Sequence, residues 1–221
     1  MKKYVLIVAG GSGTRMNTAT PKQFMEINGK PLLMHTFYAF LQTGSAFEFI
    51  LVLPENEIGN WRLLCRRHSF EVNHTVVCGG ETRFHSVQNG LAKIEGEGIV
   101  FIHDGVRPLV AGKTIENCYR TALQKGNALP VISPSESVRE VLNGKNRAVD
   151  RSRFFLVQTP QTFRVSLIKE AYKQAYHKKF TDDASVVENA GSKIHLVEGN
   201  RENIKITFPH DLKVAGVLLQ K

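Results

Sequence analysis

The strongest constraint on the fold is a rhythm in which apolar runs of strand length alternate with stretches of helical spacing. The first run, Tyr4 to Ala9, is unbroken and passes straight into Gly10-Gly11-Ser12-Gly13. A strand apolar on both sides belongs inside a parallel sheet covered on both faces. Pro31 to Leu41 then reads as a helix with proline in its first turn, followed by a strand from Phe47 to Leu53 stopped by Pro54. A helix over Glu55 to His68, a strand over His74 to Cys78 and helical spacing from Ser86 to Ile94 come next. A strand over Ile99 to His103, a helix over Thr114 to Lys125 and a strand over Ala128 to Ile132 complete the first half. This alternation predicts an α/β fold with a mostly parallel central sheet.

The rhythm then breaks. Val138 to Val149 carries Asn143-Gly144 between two polar stretches, the strongest short signal for a hairpin. So polar a hairpin reads as an arm projecting from the body, with little reason to persist unless a partner subunit packs on it. Phe154 to Gln158 is expected to return to the sheet, Arg164 to His177 to form a helix, and Ile194 to Val197 and Ile204 to Thr207 to form late strands. A final helix starts near His210. With 221 residues, 42% of them hydrophobic, the chain reads as a single domain, 1–221, with an arm at about 136–153.

Charge and cysteine narrow the partners. The chain carries 29 Lys+Arg against 20 Asp+Glu, a formal net charge of +9, so an anionic partner is expected: nucleic acid, a membrane surface or a phosphorylated small molecule. No apolar stretch approaches the ~20 residues that span a bilayer. The N-terminal apolar core is too short for a signal peptide and runs into glycine rather than a cleavage site. Cys65, Cys78 and Cys118 are scattered without a CxxC pair, which argues against a disulfide scaffold or structural zinc and for a cytoplasmic protein. The cations occur in doublets rather than tracts. The densest segment, Arg139 to Arg153, has no stacking aromatic before Phe154-Phe155, so single-strand nucleic-acid binding in the stacked mode is poorly supported, and a solvated basic surface is the alternative reading.

In an open parallel sheet, ligands sit beyond the carboxyl ends of the strands, so each exit is a candidate. The glycine run after the first strand has no lysine at the Walker position, and Met16 replaces the third glycine of the dinucleotide fingerprint. It is followed by two cations, Arg15 and Lys22, which with a cradle of backbone amides suit a triphosphate. Gly79-Gly80-Glu81-Thr82-Arg83 with Ser86 forms a second exit, and His103-Asp104-Gly105-Val106-Arg107-Pro108 a third. Asp104 suits a Mg²⁺ ligand or a ribose hydroxyl acceptor, with a salt bridge to Arg107 as the alternative; Gly105 is expected to leave room beside it. His103 is read as a packing or hydrogen-bonded histidine. Thr181-Asp182-Asp183 reads either as a helix cap or as a ligand cluster, and Lys205, amid apolar residues, calls for an anion.

Eight motifs, in order and spanning Val5 to Lys213, resemble those of the 2-C-methyl-D-erythritol 4-phosphate cytidylyltransferases of the non-mevalonate isoprenoid pathway. They are 10–16, Pro21-Lys22-Gln23, the Gly79 to Arg83 run with Ser86, 103–108, Val149-Asp150-Arg151, Thr159-Pro160-Gln161, 181–185 and 203–207. Gly10, Gly105 and Val106 stand where relatives often have alanine, and His85 where an acid is common. The resemblance implies a Rossmann-like, GT-A-like nucleotidyltransferase fold and transfer of CMP from CTP to the methylerythritol phosphate, with Mg²⁺ as cofactor and pyrophosphate as by-product. It implies that Gly10, Gly11, Ser12 and Gly13 wrap the CTP phosphates and that Arg15 and Lys22 stabilise charge in catalysis. It places Gly80, Glu81 and Ser86 at the cytosine and ribose, Asp104 and Gly105 near the ribose and metal, and Arg107, Arg151, Thr159, Thr181 and Lys205 on the sugar phosphate. The arm would then join a homodimer, with Arg151 serving the neighbour's site. Rivals to this reading are a ribitol 5-phosphate cytidylyltransferase, a non-catalytic nucleotide- or RNA-binding protein, and an oxidoreductase disfavoured by Met16.

Overall fold

The computed structural model describes residues 1–10 and 20–220. Its main sheet is built on β1 (Lys2–Val8), flanked in parallel by β4 (Glu48–Leu53) and β6 (Gly98–Asp104), with β5 (His74–Cys78) beyond β4. On the other side, β11 (Gln161–Arg164) runs antiparallel between β6 and β7 (Asn127–Ile132). β10 (Leu156–Val157) pairs antiparallel with β7, and β12 (Leu196–Glu198) pairs parallel with it. Two small hairpins stand apart, β2 (Glu26–Ile27) with β3 (Lys30–Pro31) and β8 (Arg139–Leu142) with β9 (Lys145–Ala148).

Alternation along β1 divides the interior in two, because successive side chains leave a strand on opposite faces. Val5 and Ile7 pack against α1 (Leu32–Leu41), α2 (Ile58–Arg67) and α4 (Gly112–Lys125) through Phe37, Phe40, Trp61, Ile115 and Cys118. Tyr4 and Leu6 pack against α3 (Arg83–Leu91), α5 (Val165–Ala171) and α6 (Asp183–Asn189) through Val87, Leu91, Ile168 and Val186. Trp61 is fully buried, its ring lies nearly parallel to those of Phe24 and Phe37 at 6.1 Å, and its indole N–H donates to His74 at 2.9 Å. The last helix, α7 (Pro209–Leu218), covers the β2–β3 hairpin, where the Asn28 amide donates to the Gly216 carbonyl.

Three expectations are corrected. The helix expected over Arg164 to His177 covers only Val165–Ala171. Its start is displaced by β11, and its last turn is closed by the Gln174 side chain, which donates to the carbonyls of Ala171 and Val186. Ile204 to Thr207 is no strand; it is an irregular segment whose Ile206 N–H donates to the Val106 carbonyl, in the turn after β6, at 3.0 Å. The helix expected from Ser86 starts one turn earlier, at Arg83, because Thr82 caps it by accepting from the His85 N–H. The arm's strands fall where the Asn-Gly signal put them, with Asn143 and Gly144 both at positive φ as the two-residue hairpin turn demands.

Candidate active site

The carboxyl ends of β1, β5 and β6 meet at one edge of the sheet. The parallel register sets Val8 level with Asp104 on one side and Val52 on the other, while the Gly79 N–H donates to the Leu53 carbonyl at 2.7 Å. Around this edge lies a cavity of about 440 Å³ lined in part by Gly10, Lys22, Gly80, Glu81, Ser86, Asp104 and Lys205. These are seven of the positions singled out in the sequence. Gly11, Ser12, Gly13 and Arg15 lie outside the described residues.

One wall is a braced glycine turn. The Gly80 N–H donates to the Ser86 hydroxyl at 3.1 Å, tying the turn to α3. A methyl at Gly80 would stand 2.5 Å from the His85 side chain, so the turn can lie this close to the helix only with glycine there. The N-terminus of α3 opens beside the cavity, a setting that favours an anion. Arg83, also on this wall, makes a two-pronged pair at 2.7 Å with the fully buried Asp183 at the start of α6. The Tyr172 hydroxyl donates to the same carboxylate at 2.6 Å; burial first, then the Asp183 charge, push this phenol well above its ordinary range. Asp182 and Ser185 form a reciprocal cap on α6, so the helix-cap reading of the Thr181-Asp182-Asp183 run is borne out for Asp182.

The opposite wall centres on Asp104. Its Oδ2 accepts from Arg107 Nε and lies beside the Lys205 ammonium, each at 3.1 Å. Burial alone would raise this carboxyl, but Lys205, Arg83 and Arg107 outweigh it and hold Asp104 well below the usual carboxylate range. The anion that Lys205 called for is therefore Asp104, and the Lys205 side chain, 42% exposed, still faces the cavity.

The structure places the remaining residues singled out in the sequence as follows. Arg107 was expected on the sugar phosphate, but its side chain is only 11% exposed and donates to Asp104 and, at 2.7 Å, to the Asn203 carbonyl. Thr159 is buried, with its hydroxyl shared between the Asp104 N–H and His103. Gly105 opens no room for a ligand: a methyl there would meet Ala9 at 2.8 Å and Leu33 at 3.2 Å, so this glycine serves packing. Thr181 and Arg151 are exposed and do not line the cavity within one chain; Arg151 donates to the Ser135 carbonyl beside the arm. Asp104 fits poorly as a metal ligand, since its Oδ2 already serves two cations and, among the described residues, Glu81 is the only other acid lining this cavity. Among the described residues, no group of three or more His, Cys, Asp or Glu side chains is placed to hold a metal. His103 is fully buried and hydrogen-bonded at both ring nitrogens, in line with its sequence reading, and burial pushes it down to about 4.

Gln23, Thr82 and Arg83 also line the cavity without having drawn a role of their own. Gln23 donates to the Ala9 carbonyl at 3.1 Å and so fixes the end of β1. A polar residue directly after Lys22, and an arginine directly before the apolar start of a helix, are the only signals of this in the sequence.

The model of the 2-C-methyl-D-erythritol 4-phosphate cytidylyltransferase (IspD) family matches residues 4–221. The protein of that name from Bacteroides thetaiotaomicron is 51% identical over 219 residues, covering 99% of this chain and all of the relative. That from Porphyromonas gingivalis is 49% identical, covering 99% of this chain and 98% of the relative. Among solved structures, the 4-diphosphocytidyl-2C-methyl-D-erythritol synthase of Anaerococcus prevotii superposes with a TM-score of 0.84 at 25% identity, over 100% of this chain and 99% of that one. The Thermus thermophilus cytidylyltransferase gives 0.78 at 30% identity over the whole of both chains.

Proposed function

The chain belongs to the 2-C-methyl-D-erythritol 4-phosphate cytidylyltransferase family, and from that premise we propose how this cytidylyltransferase moves CMP from CTP to 2-C-methyl-D-erythritol 4-phosphate in isoprenoid precursor synthesis. A phosphate oxygen of the sugar phosphate attacks the α-phosphorus of CTP in line, the bond to the β-phosphate oxygen breaks, and pyrophosphate leaves with that electron pair. The nucleophile is already an anion, so no general base is needed. Catalysis is then positioning plus relief of negative charge.

The observation that carries this reading is the convergence of Lys22, Arg83 and Lys205 with the Gly80 turn on one cavity. In the proposed course, Gly10, Gly11, Ser12 and Gly13 wrap the triphosphate while Lys22 and Arg15 stabilise charge at the α-phosphate. Gly80, Glu81 and Ser86 form the nucleoside side. Lys205, oriented by Asp104, retains donors for the sugar phosphate. Mg²⁺ enters as a companion of the CTP phosphates rather than as an ion held by Asp104. Residues 1–221 act as one catalytic domain, and the arm at about 136–153 joins two copies so that Arg151 and Thr181 complete a sugar-phosphate site at the interface. Phe154, Phe155, Leu156 and Val157, all partly exposed beside the arm, favour such an assembly. No helix among the described residues is long and apolar enough to cross a membrane, and a cytoplasmic site of action, without a nucleic-acid partner, suits these small charged substrates.

The test is pyrophosphate release with CTP, UTP and ATP against methylerythritol and ribitol phosphates. Release with CTP and methylerythritol phosphate only is expected. Faster release with ribitol phosphate would overturn the choice of alcohol, and equal rates with UTP would overturn the choice of base.

A further inference from the structure

Behind Asp104 and Lys205, four side chains close a ring in which each bonds the next residue. The Thr159 hydroxyl meets His103 Nδ1 at 3.0 Å; His103 Nε2 meets the Arg107 carbonyl at 2.9 Å. Arg107 donates to the Asn203 carbonyl at 2.7 Å, and the Asn203 amide donates to the Thr159 carbonyl at 2.8 Å. A carbonyl can only accept, so Nε2 carries the proton of the neutral imidazole and Nδ1 accepts from the Thr159 hydroxyl. The oxygen of that hydroxyl in turn accepts the Asp104 N–H at 3.1 Å. The donor direction therefore runs one way around the ring, from Thr159 to His103 to Arg107 to Asn203 and back.

The ring joins the end of β6 to chain that lies outside regular secondary structure. Lys205 sits in an irregular segment outside any ladder, and among the described residues its one backbone bond to the body is that from Ile206 to Val106. Such a segment has little to fix it beyond its side chains. Asn203, two residues before Lys205, is wholly buried and supplies both a carbonyl acceptor and an amide donor to the ring. Its Oδ1 is left buried without a partner, a cost accepted because turning the amide over would set oxygen against the Thr159 carbonyl. Arg107 contributes twice, since the same guanidinium that joins the ring also holds Asp104.

We infer that Thr159, His103, Arg107 and Asn203 form one positioning unit that sets Lys205 and Asp104 in the cavity wall, and that Arg107 and Thr159 act on the sugar phosphate only through this unit. Residues that act as a unit give strongly non-additive losses, whereas independent contacts multiply.

The test is a double-mutant cycle of Thr159→Val and Arg107→Lys in the full chain, read as KM for each substrate, kcat and the thermal midpoint. Lysine keeps the charge beside Asp104 but cannot span both partners as the guanidinium fork does. Each single variant is expected to lower kcat/KM for the sugar phosphate about tenfold while KM for CTP stays within about twofold. The double variant is expected to lose little more than the worse single one, and Thr159→Ser, which keeps the hydroxyl, to recover most activity. A double loss near the product, about 100-fold, or a Thr159→Val enzyme of normal efficiency, would overturn the unit. Should Thr159→Val fail to fold, Asn203→Ser takes its place in the cycle with the same two readings. Lys205 owes its place at the sugar phosphate to the function proposed above. An inactive natural chain would therefore overturn that function, whereas an active one with multiplicative variants would overturn only the positioning unit.

Discussion

Strand β6 and the β8–β9 arm are built on opposite principles. All seven residues of β6 are buried, with neighbours β1 and β11 in the sheet and packed cores on both faces. All eight strand residues of the arm are exposed, Val141 and Leu142 by 70% and 69%, and the arm coheres through its own ladder, the Asn143-Gly144 turn and an Arg147–Glu140 ion pair. An isolated two-stranded hairpin is marginal in water. The contrast teaches that burial within one chain holds the body, while the arm has no such burial, which the proposed dimer would supply.

The largest effect should come from the body. Phe101→Ala is expected to cost ~3–5 kcal/mol of unfolding free energy by urea titration, the usual cost of emptying a buried aromatic site. If Val141→Ala cost as much in the isolated chain, the distinction between the two regions would collapse. Next comes chemistry. Lys22→Ala should slow turnover by about 10²-fold, the scale of losing a preorganised charge. Steady-state rates within a fewfold of the natural enzyme would remove Lys22 from the reaction. The arm should then show its separate character. Val141→Lys with Leu142→Lys is expected to shift the sedimenting species from dimer to monomer and raise KM for the sugar phosphate, while the chain's unfolding midpoint barely moves. A dimer that persisted with normal kinetics would break the link between arm and site.

Acid sharpens the same comparison. His103 is neutral in the fold and pushed down to about 4, so between its ordinary value of 6.5 and about 4 the unfolded chain binds the extra proton. Stability should thus fall as pH drops through that window, and the Asp104 contribution, present above the ordinary carboxylate range, is lost further down. Urea midpoints at pH 7 and pH 5 check this, and the arm variants should show the same slope because both groups lie in the body. The smallest effect is expected from Arg147→Ala, under ~0.5 kcal/mol, since its ion pair is exposed.

What the sequence could and could not reveal follows the same physics. β1, α1, β4, β5 and the arm were legible because each announces itself locally, by an apolar run, a proline just before the helix or an Asn-Gly pair. The Asn28-Gly29 turn of β2–β3 is not legible as a hairpin, because strands of two residues carry no periodicity. β11 was hidden by its polar Gln161 and Thr162, both buried in the fold, where the Gln161 amide bonds Asp182 and Ala184 at the start of α6. In the site, the glycine turn and Lys205 could be picked out by residue type. The commitment of Arg107 to Asn203, 96 positions away, is a property of the folded chain and leaves no local trace.

Trp61 is the only tryptophan in the chain, and its ring lies against Phe24, two residues beyond Lys22. The chain thus carries its own fluorophore behind the turn that presents Lys22. Were CTP binding to shift that turn, the stacking on the indole would change with it, and intrinsic emission would follow nucleotide arrival without a label.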